Sequence, residues 1–418
     1  MDINNKIKAQ EVQIKDFTYD LPNDRIAKYP LESRDLSKLL VYQNGNITED
    51  IYKNLDKHIS ENALFIFNNS KVIQARLHFK NANGGNIEIF CLEPSGEDAE
   101  PSSAMTKKQS VAWECLIGRL DRWKEDQIFI KTNDCSLQAE IIKRNGNIFT
   151  IKFNWQPADF SFAEVIARIG EIPIPPYLKR KSEEIDTKRY QTVYAENEGS
   201  VAAPTAGLHF TKEIFEKLST KNAIIDFVSL HVSAGTFKPV KSDTLEGHEM
   251  HSEWIEVDKT TISNLLNLVN KDNPNKNIIA IGTTSMRTIE SLYWMGVKAY
   301  QNLEASIEEL EVKQWDAYEL NQNVSASDAL NSILEWLTKH QKVKLICKTQ
   351  LLIVPFYELK IVDALITNFH QPSSTLLLLV AAVVGDDWKK IYDYALQNDF
   401  RFLSYGDGSI LFKNKLKN

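Results

Sequence analysis

Two hydrophobic periods divide the chain. From Val72 to about residue 155, apolar and polar positions alternate in short runs such as "VIQARLHF", "NIEIFCLEP", "VAWECLIG", "LQAEIIKR" and "NIFTIKF". Turn residues at Asn83-Gly84-Gly85 and Asn145-Gly146-Asn147 separate them. A period of two puts one face inward, so this stretch predicts a small antiparallel barrel or sandwich. Elsewhere apolar runs alternate with helical patterns. "ALFIF", "AIIDFVSLHV", "NIIAIG" and "LLIVPF" predict strands; "SFAEVIARIG", "TTISNLLNLVN", "TTSMRTIESLYWMG" and "ALNSILEWLTKHQ" predict helices. Strand–helix alternation implies a largely parallel sheet. The expected architecture is an α/β main domain (1–71 plus 158–418) interrupted by a small antiparallel β-domain (72–157), barrel or sandwich. Residues 94–110 read as a flexible hairpin loop within the barrel.

Composition narrows the class. Of 418 residues, 43% are hydrophobic and 25% charged, enough for a sizeable core. The net charge of −7 argues against a generally basic surface but permits one local basic face. Cys91, Cys115, Cys135 and Cys347 form no CxxC pair, so neither a zinc site nor a disulfide framework is implied, and buried free thiols are expected. The N-terminus has no apolar signal region, and "TLLLLVAAVV" (375–384) is too short to span a bilayer and reads as a buried helix. A cytoplasmic monomer with no membrane partner is expected.

Several segments gather small and polar residues in apolar surroundings. "SVAAPTAGLHF" sets Ala203, Pro204, Thr205, Ala206 and Gly207 before His209, and the lack of bulk lets a flat ring approach the backbone. "SLHVSAGTFKPV" ends a strand at His231 and turns through Gly235 and Thr236, where α/β folds place ligands; a core imidazole is the simpler reading of His231 taken alone. His248 and His251 are spaced i, i+3, but the HExxH order is not met and no third ligand is obvious, so metal is the weaker reading. "IIAIGTTSMRT" runs an apolar strand into Gly282 and a helix bearing Thr283, Thr284, Ser285 and Arg287, a generic seat for a carboxylate or phosphate or an ordinary N-cap. "VDALITNFHQPSS" carries Asp363, Asn368 and His370; "RFLSYGDGSILF" carries Tyr405 and Asp407. In "PPYLKRKSEEIDTKRYQTVYA", Lys179, Arg180, Lys188 and Arg189 alternate with tyrosines including Tyr190, cations for phosphates and rings for stacking. A solvated charged face is the alternative.

Together these segments resemble the S-adenosylmethionine:tRNA ribosyltransferase-isomerase family of queuosine biosynthesis. The matching stretches include "RYQTVYAENEGSVAAPTAGLHFT", "LHVSAGTFKPV", "IGTTSMRTIES", "VDALITNFHQPSSTLLLLV" and "SYGDGSILF", in the family's order across almost the whole chain. The resemblance implies an α/β domain with an inserted β-barrel. It implies transfer and isomerisation of the ribosyl moiety of S-adenosylmethionine onto 7-aminomethyl-7-deazaguanine in tRNA, giving epoxyqueuosine with release of adenine and methionine. S-adenosylmethionine is then a consumed co-substrate, and no metal is expected. Gln74 stands where Pro is common, Ser233 where Gly is common, and 304–350 is expected to be a family-variable insertion.

Such a reaction needs a base for a proton made acidic by the sulfonium, an acid for departing adenine, and a polar pocket for the methionine end. His209 and His231 are the leading acid–base candidates, with Asp363, His370 and Asp407 behind them. The nucleoside is expected against Ala203–Gly207, near Gly235 and Thr236. Thr283, Thr284, Ser285 and Arg287 are expected to hold the methionine end or a phosphate, with Asn368, Tyr405 and Asp407 completing the lining. The tRNA is expected on Arg34, Lys71, Arg76, Lys179, Arg180, Lys188, Arg189 and Tyr190. Rival readings are a metal-dependent hydrolase, which stoichiometric zinc would support, and a non-catalytic tRNA-binding protein, which would release no adenine. A divergent paralogue acting on a related tRNA base is a third.

Overall fold

The apolar runs beginning at Leu64, Ile278, Ala364 and Gly408 form the fully buried middle of one sheet. The computed structural model describes residues 3–96, 100–107, 109–232, 242–270 and 277–414. It divides into two compact units. One comprises Met1–Asn69, Pro204–Leu230 and Lys238–Asn418; the other comprises Ser70–Ala203 and His231–Phe237. The second unit therefore groups more chain with the barrel than the 72–157 span read from alternation.

In chain order the first strands are β1 (Lys38–Gln43), β2 (Asn46–Ile51) and β3 (Leu64–Asn68) of the first unit. In the second unit come β4 (Ser70–Val72), β5 (Arg76–Lys80), β6 (Asn86–Pro94), β7 (Ser110–Gly118), β8 (Gln127–Lys131), β9 (Ser136–Asn145), β10 (Ile148–Gln156) and β11 (Asn197–Ser200). The first unit resumes with β12 (Ile224–Leu230), β13 (Glu253–Asp258), β14 (Ile278–Ile281), β15 (Lys344–Thr349), β16 (Ala364–Asn368) and β17 (Gly408–Phe412).

The first unit's sheet has the order β15-β13-β12-β3-β14-β16-β17-β1-β2. Strands β12, β3, β14 and β16 run parallel, so their carboxyl ends share one edge. Buried on both faces, such strands must be apolar throughout, which explains their unbroken runs. β12 lies to one side of β3 and β14 to the other. The sheet's direction of growth reverses between them, and open α/β sheets place ligands outside the carboxyl ends at such a point.

In the second unit, β10-β7-β6-β5-β8-β9 close into a barrel, and β11 pairs with β4. The alternation predicted here becomes inward and outward faces. Leu77, Phe79, Ile89, Trp113, Ile151 and Phe153 fill the interior, and Phe162, Val165 and Ile166 of the helix Phe162–Ile169 pack against them. All four cysteines are buried and free. Among the described residues no helix is long and apolar enough to cross a membrane.

Two local expectations are corrected. Within 94–110 the chain forms a helix, Pro101–Thr106, rather than a flexible loop throughout. Pro101 sits in its first turn, where a missing N–H costs nothing, and Ala104 and Met105 are buried in the barrel core. "LLIVPF" is not a strand. Its backbone groups bond to side chains instead: Leu351 N–H to Thr349 Oγ1, Leu351 O from Arg287 Nε, and Leu352 O from Tyr318 Oη. The strand is the preceding "KLICKT", β15.

The long helix Gly282–Gln301 is buried along most of its length. It packs so closely on the helix Ala326–Lys339 that a Cβ at Gly296 would stand 2.2 Å from Ala329 O. Alanine is favoured over glycine in a helix by about 1 kcal/mol. Overpacking costs about 1–3 kcal/mol, and backbone cannot swing aside. Gly296→Ala is therefore expected to lower the thermal midpoint of the purified protein; an unchanged or raised midpoint would show that the two helices separate without cost.

Candidate active site

Three segments distant in sequence meet at the carboxyl edge of the first unit's sheet. The first is the 3-10 turn Thr205–His209, which packs against the end of β16 and the start of the helix Gly282–Gln301. Gly282, at φ +87°, makes the sharp turn out of β14, and a Cβ placed there would lie 3.6 Å from Ala206 Cβ. The small side chains of "PTAG" thus let a backbone turn lie against a helix start. Gly207 N–H bonds Pro204 O at 2.9 Å.

Asn368 ends β16 and is 2% exposed. Its Oδ1 accepts from Thr205 Oγ1 at 2.8 Å, so its Nδ2 is the donor side, facing Asp407 O at 3.3 Å and His209 Nε2 at 3.2 Å. That fixes Nε2 of His209 as an acceptor. The imidazole also bonds the Arg34 backbone, which leaves Nδ1–H as the donor to it. Its face stacks on Tyr52, with ring centroids 4.3 Å apart. Burial holds the His209 pKa down at about 4, with the Asp407 charge opposing this. His209 is therefore a neutral imidazole with both nitrogens bonded. The Arg34 backbone, on a residue expected on the tRNA face, lies at its side.

His370 is likewise buried, its Nε2 lying 2.8 Å from Thr367 Oγ1 and its pKa pushed down to about 3 by desolvation. Its backbone carbonyl accepts from the Tyr19 hydroxyl. Asp407 spends its carboxylate on its own loop and the start of β1, accepting from Lys38 N–H (3.0 Å), Arg401 N–H (2.8 Å) and Arg401 Nη2 (2.7 Å). Tyr405 is buried beside it in the chain. Asp363 does not join the group. It precedes β16, accepts from Ile278 N–H at 3.0 Å and pairs with Lys413. A strand of that length separates it from Asn368 by about 16 Å.

The third segment is the start of the helix Gly282–Gln301. Thr283 is buried, and Ser285 Oγ bonds back to Ile281 O at 2.8 Å. Arg287, 8% exposed, pairs through Nη1 with Glu253 and through Nε with Leu351 O at 3.1 Å. Among the described residues, its Nη2 and Thr284 Oγ1 are buried without a partner. At β3's end, Asn68 zips to Leu230, its Nδ2 donating to Leu230 O (3.0 Å) and its Oδ1 accepting from Leu230 N–H (3.1 Å). Asn69 Oδ1 accepts from Ser229 Oγ at 2.7 Å. The sequence reading gave these two no role; their signal is an amide pair at the end of a buried parallel strand.

In the second unit, Ala203 is buried, and His231, 6% exposed, packs against Gly199. Gly199 has φ +128°, and a Cβ there would lie 3.0 Å from His231 Nδ1. Lys71 pairs with Glu198 and Arg76 with Glu88. Arg180 makes a bidentate pair, both distances 2.7 Å, with wholly buried Asp186. This pair ties the guanidinium into the fold, on a residue expected on the tRNA face. Tyr190 is 0% exposed and cannot stack on a base at the surface. Lys179 and Lys188 are exposed; Arg189 is half-buried. Gly235 and Thr236 lie outside the described residues. Among the described residues no group of three or more metal-capable side chains converges; burial and neighbouring His251 lower the His248 pKa.

With this geometry in view, the match to known proteins is decisive for family. Residues 14–411 match the family model described as queuosine biosynthesis protein. The chain belongs to that family. A crystal structure of S-adenosylmethionine tRNA ribosyltransferase from Thermotoga maritima is similar to 94% of this chain and 99% of its own length, at 27% identity and a TM-score of 0.45.

The buried imidazole has a measurable consequence. Below a pH of about 6.5 the unfolded chain protonates this histidine, while folded His209 stays neutral down to about 4. The unfolded state then binds more protons, so stability rises with pH across that window and is lost on acidification, by about 1.4 kcal/mol per pH unit for each such group. His209→Gln is expected to flatten the pH dependence of unfolding free energy between pH 6.5 and 4, roughly by one proton's worth. An identical slope in variant and parent would contradict a neutral, buried His209.

Proposed function

We propose that the protein is an S-adenosylmethionine:tRNA ribosyltransferase-isomerase. It moves the ribosyl moiety of S-adenosylmethionine onto the aminomethyl group of 7-aminomethyl-7-deazaguanine in tRNA and isomerises it, giving epoxyqueuosine, adenine and methionine. The observation that carries this reading is convergence. Within a queuosine biosynthesis family member, "PTAGLH", "IGTTSMR" and "TNFH…SYGDG" meet at the carboxyl edge where α/β sheets bind small molecules.

The hydrogen bonding supports the following roles. His209 and Asp407 act as positioning residues that fix the Asn368 amide and the turn Thr205–His209. The nucleoside is proposed against Pro204–Gly207, with Thr205 as its half-exposed polar contact. The helix start at Gly282–Arg287 receives the anionic methionine end, as aligned N–H groups and a buried guanidinium suit an anion. Proton transfer is proposed for His231, whose ring is held against Gly199. For tRNA, Lys179 and Lys188 are the proposed phosphate-contacting cations of the basic stretch, with Lys71, Arg76 and Arg189 as further candidates, acting in a cytoplasmic setting.

The test is incubation with S-adenosylmethionine and precursor-bearing tRNA, followed by nucleoside mass analysis. Epoxyqueuosine in the tRNA with matching adenine release is expected, and Lys179→Glu with Lys188→Glu should raise the KM for tRNA and reduce its salt dependence. Binding of tRNA with no adenine release would overturn the enzyme reading in favour of a non-catalytic tRNA-binding protein.

A further inference from the structure

We propose that Thr284 Oγ1 and Arg287 Nη2 together bind a terminal carboxylate, that of the methionine half of S-adenosylmethionine; this rests on the reading above. Buried polar groups are hydrogen-bonded almost without exception, so an orphan asks for a partner. The helix Gly282–Gln301 obeys the rule elsewhere. Ser285, Thr288, Ser291, Tyr293 and Trp294 each have a bonded side chain, and Glu290 accepts four hydrogen bonds, from Tyr357 Oη and three backbone N–H groups. Thr284 Oγ1 and Arg287 Nη2 break it, and both are donors.

Their placement makes them one site. Residues i and i+3 share a helix face. Helical side chains tilt toward the N-terminus, the direction in which Thr284 lies from Arg287. That first turn has no side-chain cap, so its N–H groups add a favourable dipole for an anion. Glu253 already offsets part of the guanidinium charge, and Arg287 is 8% exposed. The remaining capacity suits a compact monoanion at the end of a flexible chain. A phosphodiester embedded in a polynucleotide cannot enter so buried a position.

The test compares binding of S-adenosylmethionine with that of its decarboxylated analogue, which keeps the adenosine and the sulfonium. The parent protein should prefer S-adenosylmethionine by about tenfold to a hundredfold, the worth of a charge-assisted hydrogen bond or two. Thr284→Val preserves shape and removes an orphan hydroxyl, so it should fold with an unchanged or raised thermal midpoint and lose about tenfold of that preference. Arg287→Lys keeps a cation beside Glu253 but deletes Nη2, and should also weaken S-adenosylmethionine selectively. Equal affinity of the parent for both compounds would overturn the proposal, as would a Thr284→Val variant that weakens both alike. So would displacement of S-adenosylmethionine by inorganic phosphate but not by methionine. If the parent binds neither sulfonium compound, the S-adenosylmethionine reading itself falls, and this one with it.

Discussion

A buried helix has no water to satisfy its polar side chains, and this constraint organises the carboxyl edge of the sheet. The helix Gly282–Gln301 crosses the core carrying threonine, serine, arginine, glutamate, tyrosine and tryptophan. Each must find a partner in the protein or cost about 1–3 kcal/mol. Glu290 meets the demand by gathering the backbone of Lys360, Ile361 and Val362, which sets the approach to β16. Arg287 meets most of it through Glu253 and Leu351 O, binding the start of β13 and the segment after β15 to the same helix. Removing either partner of that pair would strand a buried charge, a loss of about 3–5 kcal/mol. The helix thus fixes the surrounding loops while leaving two donors unspent at its start.

The rest of the site is built on that fixed edge. Gly282 turns the chain sharply enough for the helix to begin where β14 ends, and Ala206 is small enough to lie against it. The Thr205–Asn368–His209 chain of hydrogen bonds then ties the turn Thr205–His209 to β16, with Asp407 holding the neighbouring loop. A neutral His209 suits this work, because protonation at Nε2 would set two donors against each other at the Asn368 amide. The polar residues at this edge divide accordingly into those that hold backbone in place and, among the described residues, two buried donors without a partner.

Much of the fold was legible because its physics is local in sequence. "LFIF", "IIAI" and "ALIT" are apolar without interruption since both faces of a central parallel strand are covered, and the barrel's alternation follows from having one covered face. What could not be read depended on partners distant along the chain. "LLIVPF" looks like a strand, yet its backbone is claimed by Arg287 and Tyr318. Tyr190 looks like a surface ring and is buried, and the partners of the His209 nitrogens, Asn368 and the Arg34 backbone, lie far from it in sequence. Arg180–Asp186 lay within six residues, but a charge run does not reveal which of its members turn inward. Periodicity reports burial of a face; it does not report which polar atoms are already bonded.

The central claim is that the carboxyl edge between β3 and β14 receives S-adenosylmethionine with its methionine end at the Gly282 helix start. A crystal structure of the protein with S-adenosylmethionine bound tests it most directly. The expected result is a methionine carboxylate about 2.7–3.2 Å from Thr284 Oγ1 and Arg287 Nη2, with the Arg287–Glu253 pair intact. A ligand ordered elsewhere, with those two atoms still unbonded, would contradict it.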